Sequence, residues 1–385
     1  MSSNSDAPGP PAAPGDRVER VDTPALILDL DAFDANVAAL HAFAAARGVR
    51  VRAHGKAHRC PEIARRQVAA GAVGVCCQKV GEAEGFADAG IADILISNEI
   101  VDAAKLARLA RLARRVRLGV CVDHPDAVRA LAQACAGNGA RVDVLIDVDV
   151  GQGRCGVASV DEALALAREV AAAAPHLRLR GLQAYHGGAQ HLRAPAARSK
   201  AIADACARAA RARDALRQAG FACDEVSGGG TGTFAYEAAS GVYTEIQPGS
   251  YALMDLDYRA NAPDPALPAM RQALGVLVSV MSVRSRHAVL DGGLKAVSVD
   301  SGPPSVRLDG WRVRGVSDEH TVIEPADASG AAAAGEPLPA LALGQRCVLD
   351  PGHCDPTANL HDWVVAFRGE RVEAVWPVLP RSASR

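Results

Sequence analysis

A lysine that stands between two histidines is the stretch of this sequence best suited to covalent chemistry. Valine and arginine alternate over residues 49–52, which predicts a short strand, and His54, Lys56 and His58 follow it directly. A lysine at the end of a strand can be partly desolvated, which lowers the pKa of its amine and frees it to form a Schiff base. A solvated lysine in a loop is the alternative interpretation of Lys56.

A histidine and an aspartate near the end of the chain could bind a metal ion. If residues 353–355 are extended, His353 and Asp355 point to one face and Cys354 to the other. An imidazole and a carboxylate suit Mn²⁺, Mg²⁺ or Zn²⁺, with water or substrate oxygens completing the coordination shell. A hydrogen-bonded turn capped by Asp355 is the alternative interpretation.

The elements that must position these residues alternate regularly from residue 49 onward. Strand-like runs end near His54, Cys77, Ser97, Val122, Val150, His186, Ser227 and Gln247. Helical patterns fill most of the gaps, namely 102–115, 125–136, 160–174 and 198–220. Eight strands alternating with helices over about 200 residues predict an α/β fold, a (β/α)8 barrel of the TIM type. A doubly wound open sheet is the alternative, but no Gly-x-Gly-x-x-Gly opens its first helix.

Polar and glycine residues accumulate where these strands end, which is where such barrels carry their chemistry. They are Lys56, Gln78, Asn98, Asp123, Arg154, Tyr185, His186, residues 227–233 and residues 247–251. The glycine-rich residues 228–233 offer backbone N–H groups and two hydroxyls that could bind a phosphate dianion. Gly249, Ser250 and Tyr251 could add an N–H group and two more hydroxyls. Glycines that only form turns are the alternative.

The pattern changes near residue 268, where the helical periodicity stops. Short strands are predicted at 274–283, 287–290, 305–308, 346–349 and 362–367, and a flexible loop at 326–341. We therefore expect a disordered leader and lead-in over residues 1–22, the barrel over 23–267 and a β-rich domain over 268–385.

Composition excludes several classes of function. Hydrophobic residues at 49% and charged residues at 22% are ordinary for a soluble enzyme of 385 residues. A net charge of −2 and only 4% aromatic residues give no reason to expect a nucleic acid or a membrane as partner. No apolar run approaches the roughly 20 residues that span a bilayer. Ten cysteines, mostly in apolar runs, are typical of buried free thiols, so we expect a cytoplasmic protein.

Three motifs together resemble one enzyme family. They are the Arg-x-His-x-Lys-x-His context of Lys56, the Gly-Gly-Gly-Thr-Gly run at 228–232 and the Pro-Gly-His-Cys-Asp-Pro-Thr stretch at 351–357. The family is that of the fold-type III pyridoxal 5'-phosphate (PLP) enzymes related to alanine racemase, with D-threonine aldolase and D-serine dehydratase as members. The resemblance covers residues 23–380 and implies a PLP-binding barrel, a second β-rich domain and a homodimer.

The resemblance also implies roles for single residues. Lys56 would be the Schiff-base lysine, and Arg154 would face the cofactor ring. The residues expected to line the PLP pocket or hold its phosphate are Gln78, Tyr185, Gly230, Thr231, Gly249, Ser250 and Tyr251. His353 and Asp355 would be the metal ligands. The dehydratase branch typically carries His-x-Cys with zinc, so His-x-Asp favours the aldolase branch with Mn²⁺ or Mg²⁺, and Zn²⁺ remains an option.

The activity that follows is a PLP- and metal-dependent retro-aldol cleavage of a D-β-hydroxy-α-amino acid. D-Threonine would give glycine and acetaldehyde, whereas 3-hydroxy-D-aspartate would give glycine and glyoxylate, with D-serine dehydratase-type β-elimination as a third option. His191 is favoured as the base over His186 because the family carries a Gln-His pair there. Arg193 could bind a β-carboxylate or lie in solvent. A racemase would need a catalytic tyrosine motif that we do not find, and a PLP-carrying homeostasis protein would need no β-rich domain.

Overall fold

The chain folds into two units in a computed structural model that describes residues 9–326 and 340–384. The barrel unit comprises residues 36–251, 258–270 and those from 379 onward. The β unit comprises residues up to 35, 252–257 and 271–378. The predicted disorder of residues 1–8 and the predicted loop at 327–339 lie outside the described residues.

The described residues form strands and helices of very different lengths, from two to 24 residues. The strands are β1 (Ala25–Asp29), β2 (Arg50–Val51), β3 (Ala53–His54), β4 (Val75–Cys77), β5 (Asp93–Glu99), β6 (Arg117–Val122), β7 (Val142–Asp147), β8 (Leu177–Gln183), β9 (Glu225–Gly228), β10 (Glu245–Ile246), β11 (Leu274–Val283), β12 (Ala288–Leu290), β13 (Ser305–Val306), β14 (Trp311–Val316), β15 (Thr321–Pro325), β16 (Arg346–Asp350), β17 (Trp363–Arg368) and β18 (Arg371–Pro377). The helices are α1 (Leu30–Ala45), α2 (Pro61–Ala69), α3 (Val80–Asp88), α4 (Ala103–Leu112), α5 (Pro125–Asn138), α6 (Val160–Ala172), α7 (Pro195–Gln218), α8 (Phe234–Ala239), α9 (Leu256–Arg259) and α10 (Cys354–Ala358).

A ring of parallel strands from β2 to β10 forms the barrel. β2 and β3 are two halves of one interrupted strand: β2 pairs with β10, and β3 pairs with β4. At the interruption, the Arg52 N–H donates to the Ile246 carbonyl oxygen at 2.9 Å, and the Ala53 N–H donates to the Gly74 carbonyl oxygen at 3.2 Å. Both edges of the sheet are therefore paired, and the predicted (β/α)8 barrel is confirmed.

The helices around the barrel begin and end where local chemistry requires. α6 begins with a capping box in which Ser159 and Glu162 each accept a backbone N–H group of the other residue. α5 ends at Gly139, whose φ of 60° favours glycine. Leu106 and Leu109 on α4 are buried against the strands. Among the described residues, no helix is long and apolar enough to cross a membrane.

The inside of the barrel is apolar on one side and charged on the other. Cys76, Leu95, Cys121 and Leu145 form an apolar cluster with at most 1% exposure each. Arg52 is fully buried and donates to Glu245 at 2.8 Å and to Asp93 at 2.7 Å. Removing one partner of such a buried pair leaves an uncompensated charge, which costs about 3–5 kcal/mol.

The first strand of the chain belongs to the β unit, although the sequence analysis assigned residues 23 onward to the barrel. β1 pairs antiparallel with β11 and parallel with β17. The first four residues of β1 are all buried, so the strand reads as a continuous apolar run. Such a run fits the centre of an open sheet as well as it fits a barrel strand, and periodicity cannot choose between them.

Two further expectations for the β unit are corrected. Part of the predicted disordered leader is structured, because the Gly15 N–H group donates to the Val372 carbonyl oxygen. The lead-in that follows contains a 3₁₀ helix at Val18–Arg20, and its Val18 N–H group donates to the Glu370 carbonyl oxygen. Strands β14, β15 and β18 and helix α10 were not predicted.

Candidate active site

The lysine of the first motif lies at the carboxyl-terminal edge of the barrel. β3 ends at His54, and a 3₁₀ helix at Gly55–Ala57 holds Lys56, which is half-buried. A Cβ atom on Gly55 would lie 2.5 Å from the Phe86 ring, so only glycine fits beside the lysine. Burial raises the pKa of the Cys76 thiol, and the positive charge of Lys56 acts against that shift. The lysine amine therefore lies within electrostatic reach of the barrel interior.

The second histidine of the motif belongs to a buried hydrogen-bond chain. The Cys60 N–H donates to His58 Nδ1 at 3.0 Å, so in the neutral ring Nε2 carries the hydrogen and donates to Gln67 Oε1 at 3.2 Å. Gln67 Nε2 donates to the Tyr251 hydroxyl at 3.1 Å. The Tyr251 hydroxyl thus accepts one hydrogen bond and retains its own hydrogen for donation. Gln67 was missed from the sequence because nothing near it marks a site.

Gln78 lies beside the first histidine of the motif. Its Nε2 atom is 3.1 Å from His54 Nε2 and 3.0 Å from Ser97 Oγ. The Gln78 N–H donates to Glu82 Oε2 at 2.9 Å, which anchors the residue at the start of α3. Lys56 follows β3 and Gln78 follows β4. These two strands are parallel neighbours, so both residues lie at the same edge of the barrel.

The glycine-rich segment after β9 is packed too closely for side chains. A Cβ atom on Gly228 would lie 2.1 Å from the Ala184 carbonyl oxygen, and one on Gly230 would lie 2.5 Å from Gln190 Oε1. A Cβ atom on Gly232 would lie 2.2 Å from the Gln190 carbonyl oxygen. The close approach therefore requires glycine, and it leaves backbone rather than bulky side chains along this segment. Backbone N–H groups in such a segment suit a phosphate.

The segment after β10 joins this region to the lysine. A Cβ atom on Gly249 would lie 2.9 Å from the His54 carbonyl oxygen. The Tyr251 N–H donates to Thr231 Oγ1 at 3.0 Å, and Ser250 is buried beside it. A half-buried lysine beside two adjacent glycine-containing loops fits the aldehyde and the phosphate of PLP.

A buried carboxyl group lies behind the glycine-rich segment. Glu237 on α8 is 1% exposed, and its Oε1 atom accepts from the Thr233 hydroxyl at 2.8 Å. Its Oε2 atom has no hydrogen-bond partner in the described part of the chain. Burial raises the pKa of Glu237 to about 7. Near neutral pH this group is therefore partly protonated and places less than a full negative charge behind the segment.

Arg154 lies in an anchored loop after β7. Asp149 Oδ1 accepts from the Gly151 N–H at 2.9 Å and from the Gly153 N–H at 3.0 Å. The Arg154 side chain is exposed, and its charge acts on Asp147, which ends β7 and is 9% exposed. Burial and the charge of a neighbouring glutamate nevertheless raise the pKa of Asp147 well above its usual range.

The glutamate beside Asp147 is Glu99, and it belongs to a group of three possible metal ligands that the sequence did not reveal. Glu99, Asp123 and Cys155 each offer an atom within 4.8 Å of the others. Burial, followed by the charge of Glu99, raises the pKa of the Cys155 thiol to about 11, so the thiol keeps its proton. We assign no metal to this group.

The two candidate bases lie in the segment after β8. Tyr185 and His186 are half-buried, and burial lowers the pKa of His186. The His191 ring packs against Tyr258 with 4.8 Å between ring centroids and an angle of 40° between the ring planes.

Gln190, next to His191, joins this segment to the glycine-rich segment. Its side chain accepts from the Gly232 N–H at 3.0 Å and donates to Thr233 Oγ1 at 2.7 Å. The Gln-His pair was the available sequence signal, but it did not reveal this contact.

The proposed metal pair lies in the β unit. His353 Nε2 is 4.0 Å from Asp355 Oδ1, close enough for one ion to contact both. His353 Nδ1 lies 2.7 Å from Asp300 Oδ2, which leaves Nε2 as the atom available to a metal. Although burial opposes the shift, hydrogen bonds from His353 and Ser298 lower the pKa of Asp300. This donor set fits a divalent cation, and Asp300 was missed because it lies far away in sequence.

The expected extended conformation around the pair is wrong. His353 is extended, but α10 begins at the next residue, so strand parity does not apply. Cys354 is fully buried; its N–H donates to Asp255 Oδ2 at 3.0 Å and its thiol donates to Asp355 Oδ1 at 3.3 Å. The turn into the helix, rather than a strand, brings the imidazole and the carboxylate together. Pro356 is tolerated because the first turn of a helix leaves its N–H groups unpaired.

Comparison with known proteins identifies the family. The alanine racemase N-terminal domain family matches residues 28–257, and a serine dehydratase domain family matches residues 273–367. D-Threonine aldolase from Arthrobacter sp. is 47% identical over 98% of this chain and 97% of its own length. The chain belongs to the D-threonine aldolase family of alanine racemase-like proteins.

Two further relatives agree with this membership. The 3-hydroxy-D-aspartate aldolase of Paracoccus denitrificans (strain Pd 1222) is 43% identical over 96% of this chain and 95% of its own. The crystal structure of D-threonine aldolase from Filomicrobium marinum has a TM-score of 0.92 and 45% identity, covering 97% of this chain and 100% of that one. The predicted family, the barrel-plus-β-domain fold and the aldolase class of this family member are confirmed, and PLP is the cofactor expected in the family.

Proposed function

We propose that the chain cleaves D-β-hydroxy-α-amino acids to glycine and an aldehyde, with D-threonine as the first substrate to test. The observation that carries this proposal is the 47% identity to a D-threonine aldolase over 98% of the chain. Identity at this level over both domains argues for a shared reaction, whereas fold alone would not.

The barrel unit would bind the cofactor. We assign Lys56 as the residue that holds PLP covalently, with Arg154 facing its ring. The residues that would line the PLP pocket or contact the phosphate are Gln78, Tyr185, Gly230, Thr231, Gly249, Ser250 and Tyr251. When bound, PLP acts as the electron sink for the carbanion left after the Cα–Cβ bond breaks.

His353 and Asp355 would hold a divalent metal. The carboxylate ligand favours Mn²⁺ or Mg²⁺, and the imidazole also allows Zn²⁺. When bound, such an ion lowers the pKa of a hydroxyl that it contacts. Asp300 would keep the His353 ring in the tautomer and orientation that present Nε2.

His191 would remove the proton of the β-hydroxyl group, and His186 is the alternative base. The ring of His191 is held against Tyr258, and the backbone of the preceding residue accepts from Asn261 Nδ2 at 2.9 Å. A base must hold its geometry within hydrogen-bond reach of the proton it takes. These contacts hold His191 from its ring and from the backbone of the preceding residue.

3-Hydroxy-D-aspartate is the second candidate substrate. The 43% identical relative named for that activity supports it. Arg193 adds a physical reason, because this exposed guanidinium follows His191 closely and its Nη1 atom is held by Asn261 Oδ1 at 2.9 Å. An oriented guanidinium can pair with a second carboxylate. Dehydration of a hydroxyamino acid is the third option.

The assay that tests the function compares products. Purified protein with PLP and Mn²⁺ should release glycine and acetaldehyde from D-threonine and from D-allothreonine, and L-threonine should be inert. The same preparation with 3-hydroxy-D-aspartate should be tested for glyoxylate. Release of 2-oxobutyrate and ammonia as the main products from D-threonine would overturn the aldolase assignment.

The proposed assembly is a homodimer in the cytoplasm. This part of the proposal rests on the resemblance to the family. Light scattering on a size-exclusion column should give twice the chain mass of 39.8 kDa, and a monomer would contradict it.

A further inference from the structure

A fully buried arginine holds the backbone just after His191. Arg198 lies near the start of α7 and has 0% exposure. Its Nη1 atom donates to the carbonyl oxygens of Leu192 and Arg193, at 2.8 and 2.9 Å. A buried guanidinium is unfavourable unless it is paired and hydrogen-bonded, so these bonds account for its presence among apolar helix positions.

The same guanidinium also holds a second segment. Its Nη2 atom donates to the Ala262 carbonyl oxygen at 3.2 Å and to Asp264 Oδ2 at 3.3 Å. The Tyr236 hydroxyl donates to the same carboxylate. Burial and Asp264 raise the pKa of Tyr236 to about 12, so the hydroxyl keeps its proton. One arginine therefore joins residues 192–193 to residues 262–264.

The two joined segments are the ones that carry His191 and its ring partner. The Ala262 N–H donates to the Arg193 carbonyl oxygen at 2.9 Å, and Asn261 donates to the residue before His191. Tyr258, whose ring packs against His191, lies four residues before Ala262. His191 is thus followed directly by the first joined segment, residues 192–193. Its ring contacts Tyr258, which lies just before the second joined segment, residues 262–264.

We propose that Arg198, together with Asp264 and Tyr236, is a positioning group that fixes His191 for proton transfer. The inference rests on the proposed function, in which His191 is the base. Arg198 does not contact His191; it acts through the backbone of the two following residues. Leu192 and Arg193 are otherwise exposed, and a base displaced by about 1 Å can lose about 100-fold in rate.

The first experiment compares Arg198→Met, Arg198→Lys and Tyr236→Phe with wild type on D-threonine. We expect kcat to fall about 30- to 100-fold for Arg198→Met and about 3-fold for Tyr236→Phe, with KM within about 3-fold in both. Arg198→Lys should be intermediate because one ammonium group cannot bond both carbonyls well. Arg211→Met, on an exposed position of the same helix, is the matched control and should leave kcat unchanged.

The second experiment separates positioning from general stability. If Arg198 acts only through His191, Arg198→Met should change the residual rate of a His191→Ala enzyme by less than about 2-fold, so the two losses do not add. Additive losses would overturn the proposal. Histidine-labelled NMR gives a readout without turnover: the His191 signal should shift or broaden in Arg198→Lys and Tyr236→Phe, which conserve most of the fold.

The outcomes distinguish this inference from the function on which it depends. A wild type that releases no glycine from any D-β-hydroxy-α-amino acid would contradict the proposed function. The NMR readout would still test whether Arg198, Asp264 and Tyr236 position His191. If the wild type is active, and Tyr236→Phe and Arg198→Lys leave the His191 signals unchanged and kcat within 2-fold, the positioning role alone would be overturned.

Discussion

Two aspartates on one barrel strand show opposite electrostatic behaviour. Asp143 lies at the amino-terminal end of β7, where Arg178 donates to it at 2.6 and 2.7 Å and Arg117 donates at 3.2 Å. Although burial opposes it, these arginines lower the pKa of Asp143. Four residues later, at the carboxyl-terminal end, burial and Glu99 raise the pKa of Asp147 well above its usual range.

The difference between the two aspartates reflects two kinds of polar site, one that stabilises the fold and one that can bind a ligand. At the amino-terminal end, arginine and carboxylate neutralise each other, as Arg52 and Glu245 also do. At the carboxyl-terminal end, the polar groups include a half-buried lysine and a buried carboxyl group, Glu237, that is partly protonated near neutral pH. Polar groups whose charge is not neutralised by a neighbouring side chain can interact with a cofactor or a substrate. The predictions below test this contrast.

The largest effect is expected at the carboxyl-terminal end, from Lys56→Ala. This variant should lose the visible absorbance of lysine-bound cofactor and all measurable glycine release, because no other amine takes its place. Its melting temperature should remain close to wild type. Lys200→Ala, which removes an exposed lysine paired with Asp204, is the control and should be fully active. Activity in Lys56→Ala would break the assignment of this end as functional.

Metal removal should stop turnover without removing the cofactor. EDTA treatment or Asp355→Ala should leave the cofactor absorbance nearly intact, because Lys56 lies in the barrel unit and Asp355 in the β unit. Glycine release should fall below detection, since a metal-free hydroxyl is a poor proton donor. Added Mn²⁺ should rescue the chelated enzyme but not the variant. Full activity after exhaustive chelation would return residues 353–355 to a structural turn.

The same substitution at the two ends of β7 should have different effects on stability. Asp143→Asn should lower the free energy of unfolding by about 2 kcal/mol, because it removes the buried carboxylate charge to which Arg178 and Arg117 donate hydrogen bonds. Asp147→Asn should change it by less than about 1 kcal/mol, since burial and the charge of Glu99 raise the pKa of Asp147 and so disfavour the charged form that asparagine lacks. Urea unfolding measures both. Equal losses at the two positions would contradict the proposed difference in protonation.

Glu237→Gln should change how stability depends on pH. The folded carboxyl group keeps its proton up to a pKa of about 7, whereas the unfolded one loses it near the ordinary 4.5. Between these two pKa values the folded state binds more protons than the unfolded state. The free energy of unfolding of the wild type should therefore fall as pH rises through this range. Relative to Glu237→Gln, wild type should lose about 2.5 kcal/mol between pH 5 and pH 8. A pH-independent difference in urea unfolding would show that Glu237 is already ionised.

Local patterns predicted the parts of the fold that repeat. The alternation of strands and helices placed the barrel, and the strand ends placed Lys56, Gln78 and the glycine-rich segment at one edge. β1 was misplaced because its apolar run fits an inner strand of either sheet. α10 was missed because Pro356 reads as a turn residue, although a helix accepts it in its first turn.

The supporting contacts could not be predicted because they join distant parts of the chain. Asp300 orients His353 from 53 residues away, and Arg198 holds Asp264 from 66 residues away. Single-sequence patterns carry no information about such pairs. The sequence therefore predicts which residues form the candidate site better than it predicts what holds them in place.

Borohydride reduction followed by peptide mass mapping tests the central claim most directly. Reduction of the PLP-loaded protein should attach one pyridoxyl phosphate group to the peptide that contains Lys56. The chain has four other lysines, Lys79, Lys105, Lys200 and Lys295, and these should remain unmodified. A label on one of them instead of Lys56, or no label, would contradict the account of the carboxyl-terminal end of the barrel as the cofactor site.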